Sequence, residues 1–124
     1  MRPADVEHQP TVFEVVKRAV EVVDPDGDQG TEEFLLRFED RDEPVAGLQE
    51  RAEQEFAEGA GAIDPDGTDP AIQMAGAVAT YLAFRRDEIT DVREDILRLA
   101  ARAEFDGSPP QLVADWLESE GVAL

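Results

Sequence analysis

Residues 70–86 read PAIQMAGAVATYLAFRR, and how this stretch folds decides the rest of the chain. Asp69-Pro70 is a cap-plus-proline helix start, because an Asp side chain can accept a first-turn amide and proline lacks the amide hydrogen that turn leaves unbonded. Ala71, Ala75, Gly76, Ala77, Ala79 and Ala83 are mixed with Ile72, Met74, Val78, Tyr81, Leu82 and Phe84, so the helix is apolar almost all round. Such a helix belongs at the centre of a bundle, with neighbours packed closely against its alanines. It is not a membrane span, since Ala71 to Phe84 would extend about 21 Å against about 30 Å of hydrocarbon. Arg85 and Arg86 follow where the helix dipole favours cations.

The flanking sequence supplies amphipathic partners. Thr11 and Glu14 predict a capping box for a helix with apolar residues at 12, 15, 16, 19, 20 and 23, ended by Pro25 and Gly27. Thr31 or Asp28 caps a second helix, TEEFLLRFED, with Phe34, Leu35 and Phe38 inward and Glu32 and Glu33 in its first turn. Pro44 opens a third, with Val45, Leu48, Ala52 and Phe56 as its stripe and Gly59 as its close. After the central helix, Thr90 caps one with Val92, Ile96, Leu99, Ala100 and Ala103 inward, closing at Asp106-Gly107. Ser108-Pro109 opens the last, with Leu112, Val113, Trp116 and Leu117 inward and Gly121 as its stop. The expectation is an all-α, compact single-domain bundle of five to six helices with short polar loops over residues 11–124. Residues 1–10, polar and carrying Pro3 and Pro10, are expected to form a loose N-terminal tail.

Asp-Pro-Asp-Gly occurs twice, at 24–27 and 64–67, each time after a small apolar run. Asp24, Asp26 and Asp28 resemble the opening of EF-hand and related calcium loops, with oxygens at positions one, three and five. The resemblance implies a Ca²⁺ or Mg²⁺ site at 24–33 formed by Asp24, Asp26, Asp28 and Glu32. The family's sixth-position glycine and twelfth-position glutamate are replaced by Gln29 and Leu35, while Gly30 comes late and Glu32 and Glu33 come early. Helix punctuation explains the same letters: proline presets φ, glycine takes a positive φ, and Asp side chains accept backbone amides.

Charge and inventory narrow the function. Thirty Asp and Glu face eleven Lys and Arg, a net charge of −19, and Lys17 is the single lysine. That field repels phosphates and anionic lipid, so neither nucleic acid nor membrane is an expected partner. The C-terminal SPPQLVADWLESEGV resembles a helix of helix-turn-helix domains, but its acidic face opposes DNA contact. Without cysteine there is no disulfide or thiolate chemistry, and without a signal-like N-terminus a cytoplasmic location is expected. His8 is the only histidine and lies in the tail, so no Ser-His relay can form in the core. Helical carboxylate pairs at i, i+3 are the remaining chemistry. Glu50/Glu53, Glu55/Glu58 and Glu88/Asp91 resemble the Mg²⁺-binding pairs of all-α nucleotide pyrophosphohydrolases of the MazG type, with Glu55 the best placed beside its stripe.

These features lean away from an enzyme. They point to a small acidic accessory or regulatory module that binds a protein partner or associates with itself, without a cofactor. The alternatives are a divalent-cation-binding protein and a Mg²⁺-dependent carboxylate hydrolase of nucleotides. The acidity fits a docking surface, plain solubility, or adaptation to a salty cytoplasm, where screening shortens to about 3 Å at 1 M salt.

Overall fold

A computed structural model of the chain describes residues 10–48, 50–85 and 92–123. Six α-helices make up the described fold: α1 (Val12–Val23), α2 (Glu32–Leu36), α3 (Arg51–Ile63), α4 (Pro70–Phe84), α5 (Arg93–Phe105) and α6 (Gln111–Ser119). A 3₁₀ turn, Val45–Gly47, precedes α3, and the described residues contain no strand beyond an isolated bridge between Thr11 and Pro44. The all-α bundle expected from the sequence is the fold observed.

α4 is its axis. Asp69 Oδ1 accepts the amides of Ala71 and Ile72 at 3.1 and 3.4 Å, as the cap-plus-proline reading requires. Eleven of its residues are buried, and α1, α3, α5 and α6 all pack against it. Gly76 permits a close approach of α3: a Cβ there would stand 3.4 Å from that of Ala60. Among the described residues no helix is long and apolar enough to cross a membrane.

α1 begins with the expected capping box, Glu14 N to Thr11 Oγ1 at 3.0 Å and Thr11 N to Glu14 Oε1 at 2.8 Å. Its next two amides, on Val12 and Phe13, reach the carbonyls of Glu43 and Arg41 at 2.9 and 2.8 Å. The chain before α3 therefore satisfies donors that a helix start leaves open. Pro10, the last residue of the expected tail, is held in place through its carbonyl by Val45 N at 2.9 Å. The rest of the tail lies outside the described residues, as do Thr90 and Arg86.

Several boundaries differ from expectation. The second helix keeps its α-form only to Leu36; Phe38, Glu39 and Arg41 then bond back to carbonyls three residues earlier, the tighter pattern of a 3₁₀ turn. Gly59 does not close the third helix, which starts at Arg51 and runs through it to Ile63. The glycine is there for space: a Cβ would lie 2.9 Å from two ring carbons of Phe38. On α5 the buried face is turned, so that Leu97 and Ala101 join Ile96 and Ala100 while Val92 is 65% exposed and Ala103 is exposed. Only Pro110 immediately precedes α6, and Leu112 is 37% exposed on its first turn. Asp106 and Gly107, both at positive φ, end α5 as expected.

Candidate functional site

The two Asp-Pro-Asp-Gly segments fold alike. Asp24 ends α1 at φ −136°, ψ 67°, and Asp64 ends α3 at φ −129°, ψ 68°. Gly27 and Gly67 take φ of 70° and 66°, and each sends its amide back to the carbonyl of the leading Asp at 3.1 Å. Each leading carboxylate accepts the amides four and five residues on. For Asp24 these are Asp28 and Gln29 at 3.0 and 2.9 Å; for Asp64, Thr68 and Asp69 at 3.0 and 2.9 Å. Both are stop signals whose side chain closes the turn.

The first loop is clasped to the bundle. Asp24 is 4% exposed, and its Oδ2 also accepts the Thr31 hydroxyl at 2.9 Å. Thr31 stands at the α2 N-cap position, but its hydroxyl donates to Asp24 instead of capping. Gln29 Oε1 accepts Trp116 Nε1 at 2.7 Å, and Arg93 reaches Val22 O and Glu120 Oε1, each at 2.5 Å. Burial alone would raise the Asp24 pKa; the amide of Gln29, the hydroxyl of Thr31 and the amides of Asp28 and Gly27 outweigh it and hold the carboxyl below its ordinary value. Trp116 and Tyr81, each 8% exposed, serve as core aromatics.

Of the four residues assigned to a cation, Asp24 points into this hydrogen-bonded turn while Asp26, Asp28 and Glu32 are exposed. Among the described residues no three His, Asp or Glu side chains gather in a geometry that could hold a metal ion. The helical carboxylate pairs are likewise dispersed. Glu55 pairs with Arg41 at 3.0 Å, and Glu58 accepts from Gln54 Nε2 at 3.1 Å. Glu88 and Asp91 lie outside the described residues.

The second loop opens onto a groove. α3 and α5 both pack on α4 yet make little contact with each other, leaving a line of α4 uncovered between them. A cavity of about 310 Å³ there is lined by Glu53, Ala57, Ala60 and Gly61 of α3, Gln73, Ala77 and Thr80 of α4, Glu104 and Phe105 of α5, and Asp64 to Gly67 of the loop. A second, of about 220 Å³, shares Glu53, Ala77, Thr80 and Glu104 and continues to Tyr81 and Phe84. Gln73, Ala77, Thr80 and Phe84 are spaced by four, three and four residues, one face of a helix. Phe84 at its end is 51% exposed.

Two carboxylates flank this floor. Glu104 is exposed at its edge, yet the packed walls exclude enough water to push its carboxyl above the ordinary glutamate range, and the Glu53 charge pushes the same way. Glu53, of the Glu50/Glu53 pair, is exposed and lines the groove, while Glu55 is occupied by Arg41. Glu104 carries no sequence signal of its own, because its importance arises from a residue some fifty positions away. Comparison with protein-family models, curated proteins and solved structures gives no match to this chain.

Proposed function

We propose that this protein is a non-enzymatic accessory module that works by docking another protein along the uncovered line of α4. The observation that supports it is the groove. An otherwise buried apolar helix borders a groove in which Gln73 and Thr80 are half-buried and Ala77 forms the covered floor, and it ends there in a half-exposed phenylalanine, Phe84. Exposed apolar surface collected in a concavity, with polar residues at its rim, is characteristic of binding surfaces. A cytoplasmic setting belongs to the same proposal, resting on the cysteine-free sequence and the acidic surface.

Thr80→Arg tests it. Thr80 lines both cavities and is half-buried, so an arginine there obstructs the groove from a side that water reaches. Size-exclusion chromatography with light scattering, run with and without extract, should show the native chain in a complex that Thr80→Arg abolishes, the circular dichroism of the variant being unchanged. A native chain that stays a monomer and retains no partner would remove this reading.

A further inference from the structure

The groove's dimensions, backbone chemistry and charge together specify its occupant. From Gln73 to Phe84 the floor runs along about 17 Å of α4, three helical turns. Glu53 and Glu104 flank its middle from opposite walls, Asp66 stands at one end and Phe84 at the other. No described lysine or arginine is paired with Glu53 or Glu104, whereas Glu55 on the far flank of α3 is held by Arg41. The described residues offer no strand edge, so an extended peptide laid here would leave its own amides and carbonyls unbonded. A helix bonds its own backbone. It also approaches closely where the floor is Ala77 and the α3 wall is Ala57, Ala60 and Gly61.

We infer that the groove receives an amphipathic α-helix of a partner protein, about three turns long, whose apolar stripe lies on Ala77, Thr80 and Phe84 and whose central Lys or Arg sits between Glu53 and Glu104. This rests on the docking reading above and adds the chemistry of the partner. The cation relieves the repulsion between the two carboxylates. A second copy of this chain is a poorer occupant, since both copies carry −19. Helix-in-groove recognition of this kind is read out at i, i+3, i+4 and i+7 anchors.

The test uses a fluorescein-labelled 14-residue alanine-based helix with leucines on one face and arginine at its centre. Its counterparts carry glutamate for arginine or a central proline. Anisotropy is measured in 1 M KCl, where screening over about 3 Å removes attraction to the distant charge of the chain. The arginine helix should bind saturably at one to one, and the glutamate and proline peptides at least about tenfold more weakly. Glu53→Gln with Glu104→Gln should weaken binding about tenfold, while the charge-matched pair Glu32→Gln with Glu39→Gln leaves it within about twofold. Equal losses in the two double variants, or equal binding of the proline peptide, would reduce the effect to net charge and overturn the inference. If no designed peptide binds but a partner from extract still does, and Thr80→Arg still abolishes its complex, the assigned occupant falls and the docking reading stands. If neither peptide nor partner binds, both fall.

Discussion

Asp24 and Asp64 hold the same post forty residues apart: each ends a helix and folds its carboxylate back onto the amides four and five residues ahead. They differ in surroundings. Asp24 is buried and accepts the Thr31 hydroxyl at 2.9 Å, whereas Asp64 is half-buried beside the open groove and accepts the Thr68 hydroxyl at 3.4 Å.

Asp24→Ala should therefore cost about 2–3 kcal/mol, since it leaves buried donors without partners, and Asp64→Ala about 1 kcal/mol, because water can replace its carboxylate. Urea melts of the two variants check this, and equal losses would contradict it. The Asp24 carboxyl is depressed in the folded state, so its contribution is present above the unfolded value of about 3.9 and disappears as pH falls through the lower folded value. Stability plotted below pH 5 should accordingly be flatter for Asp24→Ala than for the native chain. The same loop separates turn from cation site. On the turn reading millimolar Ca²⁺ leaves the melting temperature in place, and a saturable rise abolished by Asp26→Ala would restore the cation.

Glycine positions on α3 should respond in opposite directions. Gly59→Ala places a methyl 2.9 Å from the Phe38 ring, which itself packs edge-on against Phe34 at 5.3 Å between centroids. Overpacking of that kind should destabilise by about 1–3 kcal/mol. Gly61→Ala meets nothing within 4 Å and should stabilise by about 0.5–1 kcal/mol through helix propensity alone. Thermal melts of the pair, read together, distinguish a packing role from an ordinary helix residue.

The clasp on the first loop should depend on Arg93. Its guanidinium joins the last carbonyls of α1 to Glu120 beyond α6, three parts of the fold held by one side chain. Arg93→Met keeps the aliphatic stem and removes the donors, and should cost about 1.5–3 kcal/mol. The near-ultraviolet signal of Trp116, whose Nε1 bonds to Gln29 in the same loop, should weaken with it. An unaltered tryptophan signal would show that the loop is held without the arginine.

Glu104→Gln should make the isolated protein slightly more stable at pH 7, by no more than about 0.5 kcal/mol because water reaches the group. Burial and the Glu53 charge raise its folded pKa, so the folded state holds the proton more tightly than the unfolded one. Stability then falls as pH rises from the unfolded value of about 4.3 through the folded one, and glutamine removes that decline. The gain should vanish at pH 3, where both forms are neutral. A loss of stability at pH 7 would mean that the carboxylate has a favourable partner in the groove.

Self-repulsion of a chain at −19 should yield to salt. The melting temperature is expected to rise steeply between dilute buffer and molar KCl, as screening shortens from tens of ångströms to about 3 Å. An invariant midpoint would reject adaptation to a salty environment.

The sequence by itself determined the helices and the identity of the central one. The Thr11–Glu14 box, the Asp69-Pro70 start and the all-apolar text of α4 act within a few residues of themselves, and local hydrogen bonding and 3.6-residue periodicity suffice to read them. Tertiary structure alone decided where helices stop when packing overrides a local signal: Gly59 lies inside α3 because the Phe38 ring needs its missing Cβ. It also decided which copy of Asp-Pro-Asp-Gly was sealed by Arg93 and Trp116 and which was left open. The meeting of Glu53 with Glu104 across α4 was beyond any local pattern, because it depends on the separation of two helices that touch a third more than each other. Burial and charge proximity are properties of distances in space, and a linear text carries those only after the core has formed.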